Sequence, residues 1–405
     1  MIQGLVSFIG LASVFASSLA WGSWTAADAA KVDAEVAKLV PALPATVTAG
    51  KSASVAIRIR GKWVYQKHFG AASHESLYDL ASLSKVVATT TAALLSFQKG
   101  YVKPDDSIEA SLPQVYDCLW VTDRLPDLPK ESSWPKLDPP DPKICALKSK
   151  IQYDHLLRHR SGYRDLVPIS AIDFARQKGI DPFALFSGLA LRSEPAAEYR
   201  YADISMIVLR ETLKGVLAPM GLDFDEWVGL EGFRRMGMIR TVPQPGIAQL
   251  LKSYPNTRVV PTLSAIPAGQ THDPMAWALG GVAGHAGYFS TLEDLMKFSE
   301  FWIQQPSWVD AGHFQSATTA TGIPVAEGRG WGWDITSPIS DSARGPIQGG
   351  FGHTGFTGTS IWIQPGEDFA VLILTNRTYP VETAASAVEI QNLRRAIATI
   401  AWTKK

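Results

Sequence analysis

Ser82 and Lys85 stand three residues apart in the stretch Tyr78-Asp79-Leu80-Ala81-Ser82-Leu83-Ser84-Lys85-Val86-Val87, directly before a long apolar run. Residues at that spacing share one face of a helix. A serine hydroxyl is a poor nucleophile unless a base lies beside it, and a desolvated lysine amine is such a base. The chemistry this pair can do is acyl transfer through the serine oxygen. The same four-residue pattern also occurs at Ser96/Lys99 and Ser133/Lys136. Ser96 and Lys99 precede Gly100, a helix C-terminal signal. Ser133 and Lys136 flank Trp134-Pro135, and the proline argues against a helical face. Only Ser82 opens an apolar helix, expected over Val86 to Phe97, where the positive end of the dipole favours a developing anion. On this stretch alone, a purely structural N-cap role for Ser82 stays open.

Other elements must position this pair. Ala26 to Val40 has the spacing of an amphipathic helix, with Val32, Val36, Leu39 and Val40 on one side. Val55, Ile57 and Ile59 alternate with Ala56, Arg58 and Arg60, which predicts a strand. Gly61-Lys62 turns it into a second strand, Trp63 to Phe69. From Ile151 to about Met238 the pattern is mostly helical: Tyr153 to Arg158, Phe174 to Leu191, Ile204 to Val216 and Phe224 to Arg235. The glycine-rich segment Gly280 to Gly287 precedes a helix over Leu292 to Ile303. Ser360 to Ile363 and Phe369 to Thr375 form a second hairpin, and a helix from about Ala385 to Ala401 closes the chain. Strands near both ends with helices between them predict an α+β fold whose sheet is built from both termini.

The chain has 405 residues, with 38 basic and 38 acidic side chains. The length supplies ample core, and the balance gives no support to a nucleic-acid or anionic-membrane surface. No charged residue precedes Asp28; Leu5 to Leu19 is apolar, and Ser18-Leu19-Ala20 reads as a small-residue cleavage site. A secretory signal peptide over 1–25 is expected, with an uncleaved anchor as the alternative and the only membrane contact. Export places the protein in the periplasm or outside the cell. Cys118 and Cys145 are the only cysteines, both in the Pro- and charge-rich segment 113–150. In an exported protein a disulfide between them is expected, worth ~3 kcal/mol in the loop-entropy account.

Two further stretches complete a set. Glu198-Tyr199-Arg200-Tyr201-Ala202-Asp203 precedes a helix, and His353-Thr354-Gly355 precedes the final hairpin. With Ser82-x-x-Lys85, this set resembles the three motifs of the serine β-lactamase and penicillin-binding protein superfamily. Tyr201-x-Asp203 is similar to the Tyr-x-Asn element of class C β-lactamases and related DD-peptidases. His155 to Gly162, Gly280 to Thr291 and Leu374 to Arg377 also resemble that superfamily, over about residues 50 to 400. The resemblance implies a β-lactamase/transpeptidase-like fold: an antiparallel sheet flanked by terminal helices, with a largely helical second part. It divides the chain into 26–80 plus 286–405 as an α/β subdomain and 81–285 as a helical subdomain, with 113–150 inserted. It also implies an acyl-enzyme on Ser82, with Lys85 and Tyr201 sharing the proton work and the backbone N–H groups of Ser82 and Phe356 as the oxyanion hole. Asp203, His353, Thr354 and Gly355 are implied as substrate-facing.

Two departures stand out. A carboxylate at 203 favours a charged Lys85, and histidine at 353 weakens fixed positive charge at neutral pH. No analogue of the class A deacylating glutamate is found. The implied substrate is a peptidoglycan-derived D-Ala peptide. An ester or a β-lactam is the alternative on the same scaffold, and a penicillin-recognising sensor or cell-wall binding module is the rival of another class.

No cofactor or metal is expected. His155 and His159 are four apart but lack a third ligand, so helix packing accounts for them. Gly50-Lys51-Ser52 lacks the first glycine of a phosphate-binding loop. His272-Asp273 is expected to shape a cleft wall, and His285 to be structural.

Overall fold

The computed structural model describes residues 23–41, 50–112, 146–165, 169–177, 182–183, 186, 191–320 and 327–405. The expected signal peptide lies almost wholly outside the described residues, as do Cys118, Cys145 and most of the 113–150 insertion.

Helix α1 (Ala26–Leu39) starts at a capping box in which Thr25 and Asp28 satisfy each other's backbone N–H groups. Strands β1 (Ser52–Ile59) and β2 (Lys62–Gly70) form an antiparallel hairpin. Arg60 and Gly61 both have positive φ at its turn, 48° and 81°, the twist that two-residue hairpins need. Strand β1 also pairs with the strand nearest the C-terminus, Ala53 opposite Thr375 and Arg58 opposite Ala370. The main sheet therefore has five strands in the order β2-β1-β9-β8-β7, where β7 is Phe351–Thr354, β8 Ser360–Gln364 and β9 Phe369–Thr375.

Both faces of this sheet are covered. Ala53, Val55, Ile57 and Ile59 of β1, with Phe369, Val371 and Ile373 of β9, join a core with α1 and the C-terminal helix Ala384–Trp402. The alternate residues Ala56, Ala370, Leu372 and Leu374 join the larger core of the Ser82 region. Period-two alternation thus survives, but both faces are apolar because helices lie on each side.

A second, four-stranded sheet was not anticipated. Its order is β4-β6-β3-β5, from β3 (Ser76–Asp79), β4 (Val242–Pro243), β5 (Arg258–Val259) and β6 (Tyr288–Ser290). Strands of two to four residues carry too few alternations to show in a sequence. Strand β3 delivers the chain directly to Ser82.

The run after Ser82 is not one regular α-helix. Ala81–Leu83 is a 3₁₀ turn, Lys85–Thr90 is π-helical, and α2 spans Thr91–Gln98. Such wide turns recur at functional sites. All residues from Lys85 to Phe97 are buried, which is why their sequence is apolar all round. Helices α3 (Tyr153–Leu157) and α4 (Asp203–Leu217) pack together beside it, joining the same core through Leu156, Ile204 and Val208. Helix α5 (Leu292–Gln304) covers the sheet through Leu295 and Phe298, and the C-terminal helix is α6 (Ala384–Trp402).

Candidate active site

The serine turn is held under strain. Ala81 has φ 46°, a left-handed conformation rare for a residue with a Cβ. Its N–H donates to Asp79 Oδ1 at 2.8 Å. Asp79 is buried and also accepts from the His272 N–H at 2.6 Å and the Thr271 hydroxyl at 3.3 Å. Three local donors thus fix the end of β3 and the turn that presents Ser82. Burial pushes Asp79 up to about 6 against these hydrogen bonds, from 3.8.

That shift has a testable sign. The folded value is raised, so the native protein keeps a proton on Asp79 that the unfolded chain releases between about pH 4 and pH 6. Its contribution is fully present below the unfolded value and is lost as pH rises through the folded one. Against an Asp79→Asn variant, the wild type should lose on the order of 2–3 kcal/mol between pH 4 and pH 7. Denaturant unfolding at both pH values measures it; parallel profiles for the two proteins would show that Asp79 does not titrate in this window.

Lys85 has no exposed surface. Its ammonium has three oxygen partners: Ser82 Oγ at 2.8 Å, Asp203 Oδ1 at 2.7 Å and the His285 carbonyl at 3.2 Å. Two hydrogen-bond acceptors and an ion-paired carboxylate are the surroundings of a charged amine. Burial opposes that charge, but the Asp203 carboxylate and then Tyr201 outweigh it and hold Lys85 above its ordinary range. The resting state is therefore an ammonium that donates to Ser82. It is not a free amine ready to accept.

Asp203 is placed by the start of α4, one residue after extended Ala202. Gly284 explains how the glycine-rich segment reaches the lysine. A Cβ there would lie 1.8 Å from the Met206 carbonyl, so only glycine lets this turn press against α4. Thr89 Oγ1 donates to the Gly284 carbonyl at 2.7 Å, and the next carbonyl, of His285, reaches Lys85.

Tyr201 sits in a shell of cations and imidazoles. Lys85 Nζ and the Arg329 guanidinium lie 5.0 and 5.1 Å from its ring centre. The His159 and His353 rings are 4.7 and 5.9 Å away. His159 has φ 56° and its Nδ1 lies 3.1 Å from the Ala202 carbonyl, so it fixes the segment that carries Tyr201. His159 thus serves packing; it is not brought together with His155, whose Nδ1 accepts the Gln152 N–H.

His353 corrects an expectation. It was placed facing substrate, yet its side chain has no exposed surface, and it packs on Tyr201 instead. Its Nδ1 lies 2.8 Å from the Thr354 carbonyl and so carries the proton. Burial, then the Arg329 and Lys85 charges, hold it well below its ordinary range. A neutral, sealed imidazole supplies no charge to the cleft. Strand alternation is the physical reason: with Thr354 turned to the cleft, its neighbour must point inward.

Thr354, Gly355 and Phe356 do line the cleft, with Ser82 and Tyr201, around a cavity of about 310 Å³. A Cβ on Gly355 would lie 2.0 Å from Thr359 Oγ1 and 2.5 Å from the Leu80 carbonyl. Glycine therefore lets β7 approach the serine turn. Neither the Ser82 nor the Phe356 N–H has a hydrogen-bond partner among the described residues.

Arg329 and its partner escaped sequence reading. Arg329 is fully buried, donates to Tyr199 Oη at 3.1 Å and pairs with Asp334 at 3.5 Å. The dense Gly328-Arg329-Gly330-Trp331-Gly332-Trp333 run was its available signal. Asp273 caps a short helix through the Ala276 N–H and lies 2.8 Å from His285 Nε2. Asp203, Asp273 and His285 bring three ligand-type atoms within 4.8 Å of one another, and the cation that Asp203 holds there is Lys85.

Comparison with known proteins follows this geometry. The family model described as Beta-lactamase matches residues 37–394. A protein of Escherichia coli (strain K12) named "Putative D-alanyl-D-alanine carboxypeptidase" is 25% identical over 334 residues, covering 75% of this chain and 70% of its own. Among solved structures, a simvastatin synthase variant from Aspergillus terreus matches with TM-score 0.65 at 17% identity, covering 93% of this chain and 98% of its own. A β-lactamase/D-alanine carboxypeptidase from Pseudomonas syringae matches with TM-score 0.61 at 17% identity, covering 92% and 99%. These last two likenesses concern the fold.

Proposed function

The chain belongs to the β-lactamase family and is a serine hydrolase, and from that premise we propose that it cleaves D-alanyl-D-alanine peptides of peptidoglycan through an acyl-enzyme on Ser82. The observation that carries the reading is Ser82 Oγ 2.8 Å from a fully buried Lys85 Nζ, in a cleft with two N–H donors that have no partner among the described residues. In this reading Ser82 Oγ attacks the scissile carbonyl carbon. Its proton passes to the Lys85 amine, after Lys85 has yielded one to the Asp203 carboxylate 2.7 Å away. The carbonyl oxygen becomes an oxyanion held by the Ser82 and Phe356 N–H groups, each worth ~3 kcal/mol in the transition state. The C–N bond then breaks, the same group returns a proton to the departing D-Ala amine, and water later releases the acyl group. The protein acts after export, as the apolar stretch Leu5 to Leu19 suggests.

The name of the E. coli relative supports this substrate class. A second reading, a carboxylesterase, draws support from the buried neutral His353, which leaves the third motif without fixed charge for a substrate carboxylate. Turnover of a D-Ala-D-Ala peptide, a simple ester and a cephalosporin, followed side by side in time, separates the readings. Release of D-Ala at the highest kcat/KM is the expected result. Preference for the ester establishes the second reading, and acylation by the cephalosporin without release of any product establishes a penicillin-recognising sensor.

A further inference from the structure

His285 is a buried titratable group that the acylation steps do not use. It has no exposed surface. It stands at the tip of a tight turn in which Ala283 and Ala286 exchange backbone hydrogen bonds of 2.9 and 3.3 Å. Its backbone carbonyl accepts from Lys85 Nζ at 3.2 Å. Its ring Nε2 lies 2.8 Å from Asp273 Oδ1; a carboxylate accepts, so Nε2 carries the proton. Nδ1 is buried with no hydrogen-bond partner. Among the described residues, Asp273 is therefore the ring's one hydrogen-bond partner.

Asp273 is tied in turn to the serine. The residue before it, His272, donates its N–H to Asp79 Oδ2, and Asp79 Oδ1 accepts from Ala81, next to Ser82. The contacts close a ring: from Ser82 through Asp79, the His272-Asp273 segment, the His285 side chain and the His285 carbonyl to Lys85, and back to Ser82 Oγ at 2.8 Å. Burial opposes ionisation of Asp273, but the His285 imidazole, electrostatically and through the hydrogen bond, and then the Ala276 N–H outweigh it. They hold the carboxyl well below its ordinary range, so it stays an acceptor at neutral pH. Without that acceptor, a buried imidazole has neither nitrogen satisfied, which costs free energy until the ring or its turn moves. The turn carries the carbonyl that holds Lys85, and a misplacement of about 1 Å in a catalytic group costs on the order of 10²-fold in rate.

We infer that Asp273 and His285 are positioning residues for Lys85: the carboxylate fixes the imidazole, the imidazole fixes the turn, and the turn's carbonyl holds the lysine nitrogen at Ser82 Oγ. This rests on the acyl-enzyme reading above and extends it to a pair that acts through Lys85. The rival role for Asp273 is a plain helix cap, since the same Oδ1 accepts the Ala276 N–H at the start of Pro274–Ala278.

Four variants separate the two roles. Asp273→Ser keeps a capping side chain but loses the reach to His285, whereas Asp273→Asn keeps the cap and an oxygen for the imidazole. His285→Leu removes both ring nitrogens, and His285→Gln returns an amide N–H in place of Nε2. Each protein is labelled with a neutral fluorophosphonate over a range of concentrations, so that the maximal rate of Ser82 labelling is read apart from the probe's apparent affinity. Asp273→Ser and His285→Leu should lower the maximal rate by about tenfold or more at unchanged affinity, and Asp273→Asn and His285→Gln should recover most of it. The Asp273 side chain is 28% exposed, so serine there leaves no sealed cavity; denaturant unfolding checks each variant, and the two Asp273 variants decide the matter if His285→Leu does not fold. A wild-type rate in Asp273→Ser, a loss confined to affinity, or Asn and Gln variants as slow as the Ser and Leu ones overturns the positioning role. Peptide mass spectrometry of the labelled wild type reports on the acyl-enzyme reading separately: an adduct on Ser82 with unaffected variants removes the Asp273–His285 role alone, and no adduct on Ser82 removes both.

Discussion

Ser82→Ala removes covalent labelling by a fluorescent penicillin and by a fluorophosphonate, and lowers kcat by about 10⁴-fold or more. The size follows from the loss of the atom that forms the acyl bond; the N–H donors and the cleft remain and give only residual catalysis. Stability should hardly change, because the hydroxyl's partner, Lys85, keeps its Asp203 and His285 contacts. Peptide mass spectrometry of the labelled wild type locates the adduct. An adduct on Ser96 would overturn the assignment; that side chain is buried within α2 with no hydrogen-bond partner for its hydroxyl.

Lys85→Met lowers acylation by about 10³-fold or more, through loss of general acid–base work on Ser82. It also destabilises the protein, by about 3 kcal/mol or less, because Asp203 loses its cation while remaining mostly buried. Adding Asp203→Asn should recover most of that stability and none of the activity. The single Asp203→Asn variant tests the coupling itself. Asp203 raises Lys85, so removing its charge lowers the lysine, and a neutral amine becomes available at lower pH. The acid limb of the acylation rate should therefore move downward in pH. Stopped-flow acylation across pH reads this directly, and an unshifted limb would mean that proton transfer bypasses Lys85. A Tyr201→Phe variant should then show the larger loss.

Much of the scaffold was legible in the chain because it rests on local rules. The amphipathic period of Ala26 to Val40, the alternation in Val55 to Ile59, the turn at Gly61 and the closing helix all express backbone sterics and local periodicity. The second sheet was not legible, since Tyr288–Ser290 and its partners are too short to show a period. The wide turn at Lys85–Thr90 was also hidden. An apolar run reads alike as α or π helix, and only its contacts with α4 and the Gly284 turn distinguish them.

For the site, sequence alone determined the residue types and their order: Ser82 with Lys85, Tyr201 with Asp203, then His353-Thr354-Gly355. Those suffice to name an acyl-transfer chemistry, because a nucleophile, a base and a donor strand are properties of side chains and spacing. Tertiary structure alone decided the charges. Asp203 and Lys85 are 118 positions apart in the chain and 2.7 Å apart in the fold, so the ammonium state of the lysine is written in no local stretch. His353 became a neutral wall because burial and two neighbouring cations, Arg329 and Lys85, forbid its protonation. Electrostatics depends on distance and dielectric, and both are set only when segments remote in sequence are brought together.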